Sequence, residues 1–423
     1  MSDDQRIHRQ SFDGPEAESE KHLPKAQEKS RASRAHNPSN QKGCVNVALV
    51  HDWLNGMRGG EIIFEALLDL YPEADVFTLI YEPSKLSPAL RAKLAKRRVE
   101  VSWLNYLIFT RKNYRQLLPL LPFAIRSLNV STYDLVLSSS HCVAKGVKKR
   151  RDAFHLSYVH APMRYMWDRF NDYFGRGRVH PLIRLMALLM RPFLQIWDRQ
   201  TAQVKRVDVL VANSDFIAEQ IKRCYGREAR TIYPFAKLER FQRARRPGNF
   251  YLMVGAFAPY KRTDLAIEAF ARLGLPLKIV GQGQDMVPLR ELRNRLKASN
   301  IEFLKSPTNE EIETLYSECK AFIFPGKEDF GITPLEAMAS GAPVIAFGEG
   351  GACETVTAQT GILFLPQSVD ALCESVMDIE TGRKYFDLNL CMERARHFNK
   401  SRFLSEITAL IPESLRNPTL KEA

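Results

Sequence analysis

Few backbone arrangements accommodate the run EDFGITPLEAMASGAPVIA, residues 328–346. Before it, Ala321 to Pro325 is a short apolar stretch closed by a proline, as expected of a strand buried on both faces of a parallel sheet. Thr333 has the chemistry of a helix N-cap, with Pro334 at the first helical position and Glu336 at the third. Leu335, Ala337 and Met338 continue that helix, and Gly341 is placed to end it. Pro343 to Ala346 supplies the next strand. Glu328 then sits on a loop at a strand's carboxyl end, and Glu336 in the first turn of a helix. The backbone N–H groups of Phe330, Gly331, Ile332 and Thr333 between them are free for a ligand phosphate. In an open α/β sheet that crevice is where ligands bind.

A Thr-x-x-Glu by itself is usually no more than a capping box. Here seven residues separate the two carboxylates, and the whole run resembles the E-x7-E signature of retaining glycosyltransferases of family 4. Three further stretches, ALVHDWLNGMRGGE (48–61), DLVLSSSHCVAKG (134–146) and HAPMRYMWD (160–168), are similar to the mannosyltransferase branch that builds O-antigen and exopolysaccharide. The resemblance implies a GT-B fold: α/β, with two Rossmann-like doubly wound domains facing across a cleft. It implies a nucleotide-sugar donor held mainly by the C-terminal domain, Glu328 on hydroxyls of the transferred sugar and Glu336 on the ribose hydroxyls. It also implies that His160 lies beside the sugar, and that Gly59 and Gly60 lie near the donor diphosphate and the acceptor. A histidine after a strand is ordinarily structural, so His160 is singled out by its motif.

The rest of the chain has the matching alternation. Val45 to Val50 reads as a buried strand, followed by the turn Gly56 to Gly60 and a helix to Leu70 with apolar residues at a 3.6 period. Glycine lets backbone approach a phosphate closely there. Further strands are expected at 74–80, 134–139, 153–159, 208–212 and 231–235, and then at 250–254, 277–280, 301–304, 321–325, 344–347 and 361–365. The expected organisation is a disordered polar tail over 1–43, an acceptor domain over 44–238 and a linker over 239–249. A nucleotide-sugar domain follows over 250–395, with a terminal helix and tail over 396–423 crossing back to the first domain.

Charge is uneven. Fifteen Lys or Arg between Lys85 and Arg151 face only Glu100 and Asp134, so this window accounts for the whole net charge of +13. A localised basic field calls for an anionic partner. Apolar residues from Trp103 to Phe109 and from Leu117 to Phe123 interleave with these cations. Val179 to Trp197 is strongly apolar, but too short and too charged to span a bilayer. Both segments are read either as core helices or as an interfacial membrane surface. No window approaches a transmembrane span, and the polar N-terminus does not read as a secretory signal. Seven cysteines lack any C-x-x-C pair, which disfavours zinc and a disulfide framework and suits a reducing cytoplasm.

Displacing a nucleoside diphosphate builds negative charge on the leaving phosphate, and fixed cations aimed there lower the barrier. Lys261 and Arg262, opening a helix, are candidates. Two cations are unfavourable at a helix N-terminus unless an anion joins them. Ala256 stands where the family usually has an arginine, and Arg262 is the candidate substitute. With no Asp-x-Asp, no metal and no cofactor are expected. The donor suggested by the branch is GDP-mannose, and the acceptor a soluble saccharide or one carried on polyprenyl diphosphate. The location expected is cytoplasmic, extending to the inner face of the membrane. Competing readings are another GT-B enzyme, such as a nucleotide-sugar epimerase, or a non-catalytic basic protein that binds membrane or nucleic acid. Nucleic acid is disfavoured because no nucleic-acid-binding signature appears. An NAD enzyme is disfavoured because Gly281-x-Gly283 lacks the third glycine.

Overall fold

The computed structural model describes residues 45–107, 114–175, 177, 179–241 and 243–417. The tail over 1–43, Ile108, Phe109, Arg111, Lys112 and Arg178 lie outside them. Among the described residues the first domain has β1 (Val47–His51), β2 (Asp75–Thr78), β3 (Val99–Val101), β4 (Asn129–Val130), β5 (Leu135–Ser140), β6 (Lys148–Lys149), β7 (Phe154–Val159), β8 (Val209–Ala212) and β9 (Arg230–Thr231). The second has β10 (Tyr251–Val254), β11 (Leu277–Val280), β12 (Ile301–Leu304), β13 (Phe322–Phe324), β14 (Val344–Phe347) and β15 (Gly361–Phe364). The main sheets are parallel throughout, ordered β3-β2-β1-β5-β7-β8-β9 and β12-β11-β10-β13-β14-β15. Val47 to Val50 and Leu135 to Leu137 are buried on both faces, as a central parallel strand requires. These are two doubly wound Rossmann-like domains in the GT-B arrangement.

The helices that place the site are α1 (Gly59–Leu70), α2 (Pro181–Thr201), α3 (Asp215–Tyr225), α4 (Thr263–Leu273), α5 (Asn309–Glu318), α6 (Ile332–Ala339) and α7 (Lys400–Ala409). α3 runs from its Ser214 cap to a left-handed Gly226, as its sequence predicts. In α7, Phe403 and Ile407 are buried in the core of the first domain, with the Phe403 ring 5.5 Å from that of Tyr158.

Two expectations change. The strand expected over 231–235 ends at Thr231, and Ile232 to Phe235 continue as coil into Pro234 and the crossing to the second domain. The basic window is not one surface. Lys145 is buried in an ion pair with Asp198. Lys149 pairs with Asp208 at 3.0 Å, Arg150 with Asp134 at 2.9 Å, and Lys93 with Asp69 at 2.6 Å. Arg97 turns its guanidinium to the carbonyls of Lys93 and Leu68. Partners remote in sequence neutralise cations that look unopposed within their own stretch.

Candidate functional site

Strand order reverses between β1 and β5 in one sheet and between β10 and β13 in the other. Loops leaving such strands in opposite directions open a crevice at their carboxyl ends. Lys261 and Glu328 lie on the loops after β10 and β13, Gly59 and Gly60 open α1 after the loop leaving β1, and His160 follows the neighbouring β7.

On the second domain, the turn after β10 carries Lys261, and the loop after β13 carries Glu328. Lys261 Nζ forms an ion pair with Glu328 Oε1, and both side chains are largely buried. The loops can approach because residue 326 is glycine: a Cβ there would lie 2.5 Å from the Tyr260 carbonyl oxygen and 2.7 Å from Lys261 Cα. Burial pulls the Lys261 pKa down, but Glu328, Tyr260 and Asp329 more than offset this, and the net shift is upward. Lys261 is therefore a fixed cation. The Glu328 backbone is pinned by a parallel bridge to Gly350 and by the Gly351 N–H, 2.9 Å from the Glu328 carbonyl oxygen.

Arg262 adopts a left-handed conformation (φ +51°) at the cap of α4. Its guanidinium is taken up by Asp264 at 3.2 Å and Gln367 at 3.0 Å. Lys261 and Arg262, adjacent in sequence, thus engage different partners.

α6 begins two residues earlier than its sequence suggests. Gly331, with φ +96°, is the cap, so Thr333 and Pro334 fall inside the first turn and Glu336 beyond it. Only glycine takes that backbone conformation freely, and this outweighs the hydroxyl of Thr333. Pro334 is tolerated because the first four N–H groups of a helix need no internal acceptor. Glu336 completes no capping box. It is half-buried and accepts the Tyr316 hydroxyl from α5 at 2.9 Å. Burial, only partly offset by Tyr316 and Arg240, pushes its carboxyl up to about 7. Phe330 is a core side chain, its ring 5.8 Å from those of Tyr233 and Phe398, so only its backbone faces outward chemistry. Ile332 and Thr333 are half-buried at the helix start.

On the first domain, His160 lies just beyond β7, with Nε2 2.8 Å from Ser139 Oγ. Burial, with His141, His51 and Arg164 nearby, holds its pKa well below the usual histidine value, so the imidazole is neutral. A Cβ on Gly60 would lie 3.6 Å from His160 Nε2, and one on Gly59 3.2 Å from Ile332 Cδ1. Gly59 and Gly60, expected in the turn, are instead the first two residues of α1 after its cap Arg58, and there they meet both His160 and the helix start of the second domain. Arg164 reaches across to Asp329 at 2.7 Å, Ser214 Oγ donates to the Asp329 carbonyl at 2.6 Å, and Arg169 donates to the Lys327 carbonyl. The first N–H groups of α3, Asp215 and Phe216, donate to the Glu354 carboxylate at 2.7 and 2.9 Å.

Sequence reasoning passed over several of these positions. Asp52 is fully buried and accepts four successive N–H groups, from His141, Cys142, Val143 and Ala144, at 2.6–3.0 Å. It fixes the loop beside His160, and a lone aspartate after a strand gives no sign of it. Tyr316 looks like an ordinary apolar-face residue of α5. Asp329 and Glu354 acquire partners only when the domains meet.

One family model matches the second domain. Residues 235–397 match the model of glycosyl transferases group 1. The chain is 31% identical over 146 residues to O-antigen chain mannosyltransferase C of Escherichia coli, covering 32% of this chain and 39% of that one. It is 30% identical over 133 residues to an uncharacterized glycosyltransferase of Methanocaldococcus jannaschii, covering 31% and 38%. These two alignments span about two-fifths of each relative. A longer one, 25% identical over 383 residues, covers 77% of this chain and 72% of the alpha-1,3/1,6-mannosyltransferase of Schizosaccharomyces pombe. Among solved structures, HepE of Anabaena in complex with UDP superposes with a TM-score of 0.61 at 17% identity, over 86% of this chain and 99% of that one. Sucrose-phosphate synthase of Thermosynechococcus elongatus gives 0.64 at 19%, over 87% and 98%. At such identities the likeness is one of fold. The chain thus has the GT-B fold, and its residues 235–397 match the model of glycosyl transferases group 1.

Proposed function

We propose that this protein is a retaining glycosyltransferase of family 4, moving a hexose from a nucleotide sugar to a saccharide acceptor. The observation that carries this is the buried Lys261–Glu328 pair between the two switch-point loops of the second domain. There a cation for a leaving diphosphate and a carboxylate for sugar hydroxyls stand side by side. Mannose from GDP-mannose is the donor we favour, supported by the mannosyltransferases among the relatives. The acceptor we favour is a saccharide on polyprenyl diphosphate, met by the enzyme at the inner face of the cytoplasmic membrane.

In this reading Glu336 binds the ribose hydroxyls, and the N–H groups at the start of α6 face the donor. Gly59 and Gly60 let the first domain close over the diphosphate. Lys261 stabilises the charge that develops when the bond from the anomeric carbon to the diphosphate oxygen breaks. The acceptor oxygen bonds to the anomeric carbon on the face the diphosphate leaves, and its proton passes to the departing phosphate oxygen. Neutral His160, fixed by Ser139, hydrogen-bonds the sugar. Arg262 serves the diphosphate only by exchanging Asp264 and Gln367 for it.

Two measurements test this. A thermal-shift screen of nucleotide sugars ranks donors, since a ligand bound to the native state raises its stability. GDP-mannose is expected to lead. Product analysis with lipid-linked oligosaccharide and EDTA should then show transfer with retained anomeric configuration. Donor turnover without an acceptor product, as an epimerase would give, or loss of transfer in EDTA would count against it.

A further inference from the structure

α2 is built inside out. A surface helix ordinarily turns its apolar stripe to the core and its polar side to water. In α2, Leu182, Leu185, Met186, Leu189, Phe193 and Ile196 share one helical stripe, and all six are exposed, Leu182 by 61% and Leu189 by 64%. Three charged residues, Arg184, Arg191 and Asp198, lie on the opposite side and point into the protein. Arg184 donates to the Phe174 carbonyl at 2.6 Å. Arg191 donates to the Met166 carbonyl at 2.8 Å, its guanidinium 4.7 Å from the centre of the Phe170 ring. Asp198 is fully buried. Trp103, Tyr106 and Phe123 are likewise exposed, on segments that pack over the same core as the inward side of α2. An exposed apolar stripe like that of α2 marks an interaction site.

The surrounding charge selects the occupant. Among the described residues from Pro181 to Arg206 the one acid is the buried Asp198, and Arg184 and Arg191 are turned inward. Arg199 and Lys205, beyond the apolar stripe, are exposed. An apolar stripe with cations at its margin matches an anionic lipid surface, where acyl chains take the stripe and headgroups the cations. A second copy fits badly, because a two-fold contact would bring the same cationic margins together. Among the described residues no helix is long and apolar enough to cross a membrane, and the inward side of α2 is tied to its own domain.

We propose that the outward face of α2 docks the protein on an anionic phospholipid bilayer, lying in the interface with its leucines at the boundary of headgroups and acyl chains. This deepens the lipid-linked acceptor reading and rests on it for its purpose, though the surface itself is observed independently. The inward side of α2 holds the loop after His160. Gln195 donates to the Met166 carbonyl at 2.8 Å, and Asp198 accepts the Met163 N–H at 3.2 Å and the Trp167 indole N–H at 2.8 Å. That loop carries Arg164 to Asp329. The docked helix therefore fixes the cleft at the bilayer surface, where the sugar end of a lipid-anchored acceptor lies.

The test is co-sedimentation of the full chain with vesicles of phosphatidylethanolamine and phosphatidylglycerol, without donor or acceptor, so that a failed transfer assay and a failed docking assay are separate results. Wild type is expected to bind, more weakly at high salt but with a residue of salt-resistant binding. Leu185→Glu with Leu189→Glu should lower partitioning by about a hundredfold, since two buried leucines are lost. The melting temperature should not change, because both side chains face solvent. Four results would overturn the proposal: no binding by wild type, unchanged binding by the double variant, complete release by salt, or a wild-type dimer by light scattering that the double variant dissociates.

Discussion

Lys261 and Glu328 hold each other where neither charge is tolerable alone. In the proposed reaction, removing the cation strips the leaving diphosphate of its counter-charge. Lys261→Ala is expected to lower kcat by about 10²–10³. Steady-state kinetics check this, and an unchanged kcat would take Lys261 out of the mechanism. Glu336 supports a prediction in pH. Its carboxyl is raised from 4.5 to about 7, so the folded chain keeps a proton that the unfolded chain loses between those values. Stability is thus lowered progressively as pH rises through that window. Glu336→Gln should melt higher than wild type at pH 8 and show no such advantage at pH 4. Ribose hydroxyls donating to the carboxylate favour its charged form. Nucleotide binding should then tighten in wild type as pH rises toward 7 and level off above it, beyond any change in Glu336→Gln, by calorimetry over a pH series. Parallel profiles would mean that Glu336 does not meet the ribose.

At the scale of elements, the site depends on two loops pressed together. Gly326, two residues beyond β13, lies against the backbone of Tyr260 and Lys261. An added methyl must displace that backbone, carrying Lys261 away from Glu328. Misplacement by about 1 Å can cost about 10²-fold in rate. Gly326→Ala should therefore lose activity out of proportion to stability, with kcat down at least about tenfold in a protein that still unfolds cooperatively. Calorimetry and kinetics on one preparation decide this, and near-normal kcat would show the loop pair to be more pliable than its packing indicates. α6 makes a related point: its start is set by a glycine able to take φ +96°, and this fixes which N–H groups face the cleft.

At the scale of the molecule, contacts from Arg164, Arg169, Ser214 and Glu354 join the domains around the cleft. If Arg164 and Asp329 hold the domains together, a double-mutant cycle of Arg164→Ala and Asp329→Ala should give a coupling of about 0.5–3 kcal/mol in unfolding free energy, the range for residues in direct contact. A matching coupling in kcat/KM would tie this contact to turnover. Additive effects would mean that it carries no part of domain closure. α7 adds a second bond between the halves, since Phe403 and Ile407 complete the core of the first domain from the far end of the chain.

The alternation of strands and helices and the strand, loop and helix that carry Glu328 and Glu336 were legible in the sequence, whereas Gly59 and Gly60, read as a turn, open α1. Local periodicity and turn chemistry act over a few residues, and a spaced motif survives as a string. Other features depended on tertiary contacts. The capping role of Thr333 gave way to Gly331 because the close packing of α6 on β13 requires a glycine there, and the basic window dispersed because Asp198, Asp208 and Asp69 neutralise it from elsewhere in the chain. The apolar content of residues 179–197 was plain, but its direction was not. A helix pattern shows that one stripe is apolar, and only the packing of Arg184, Arg191 and Asp198 shows that this stripe faces outward.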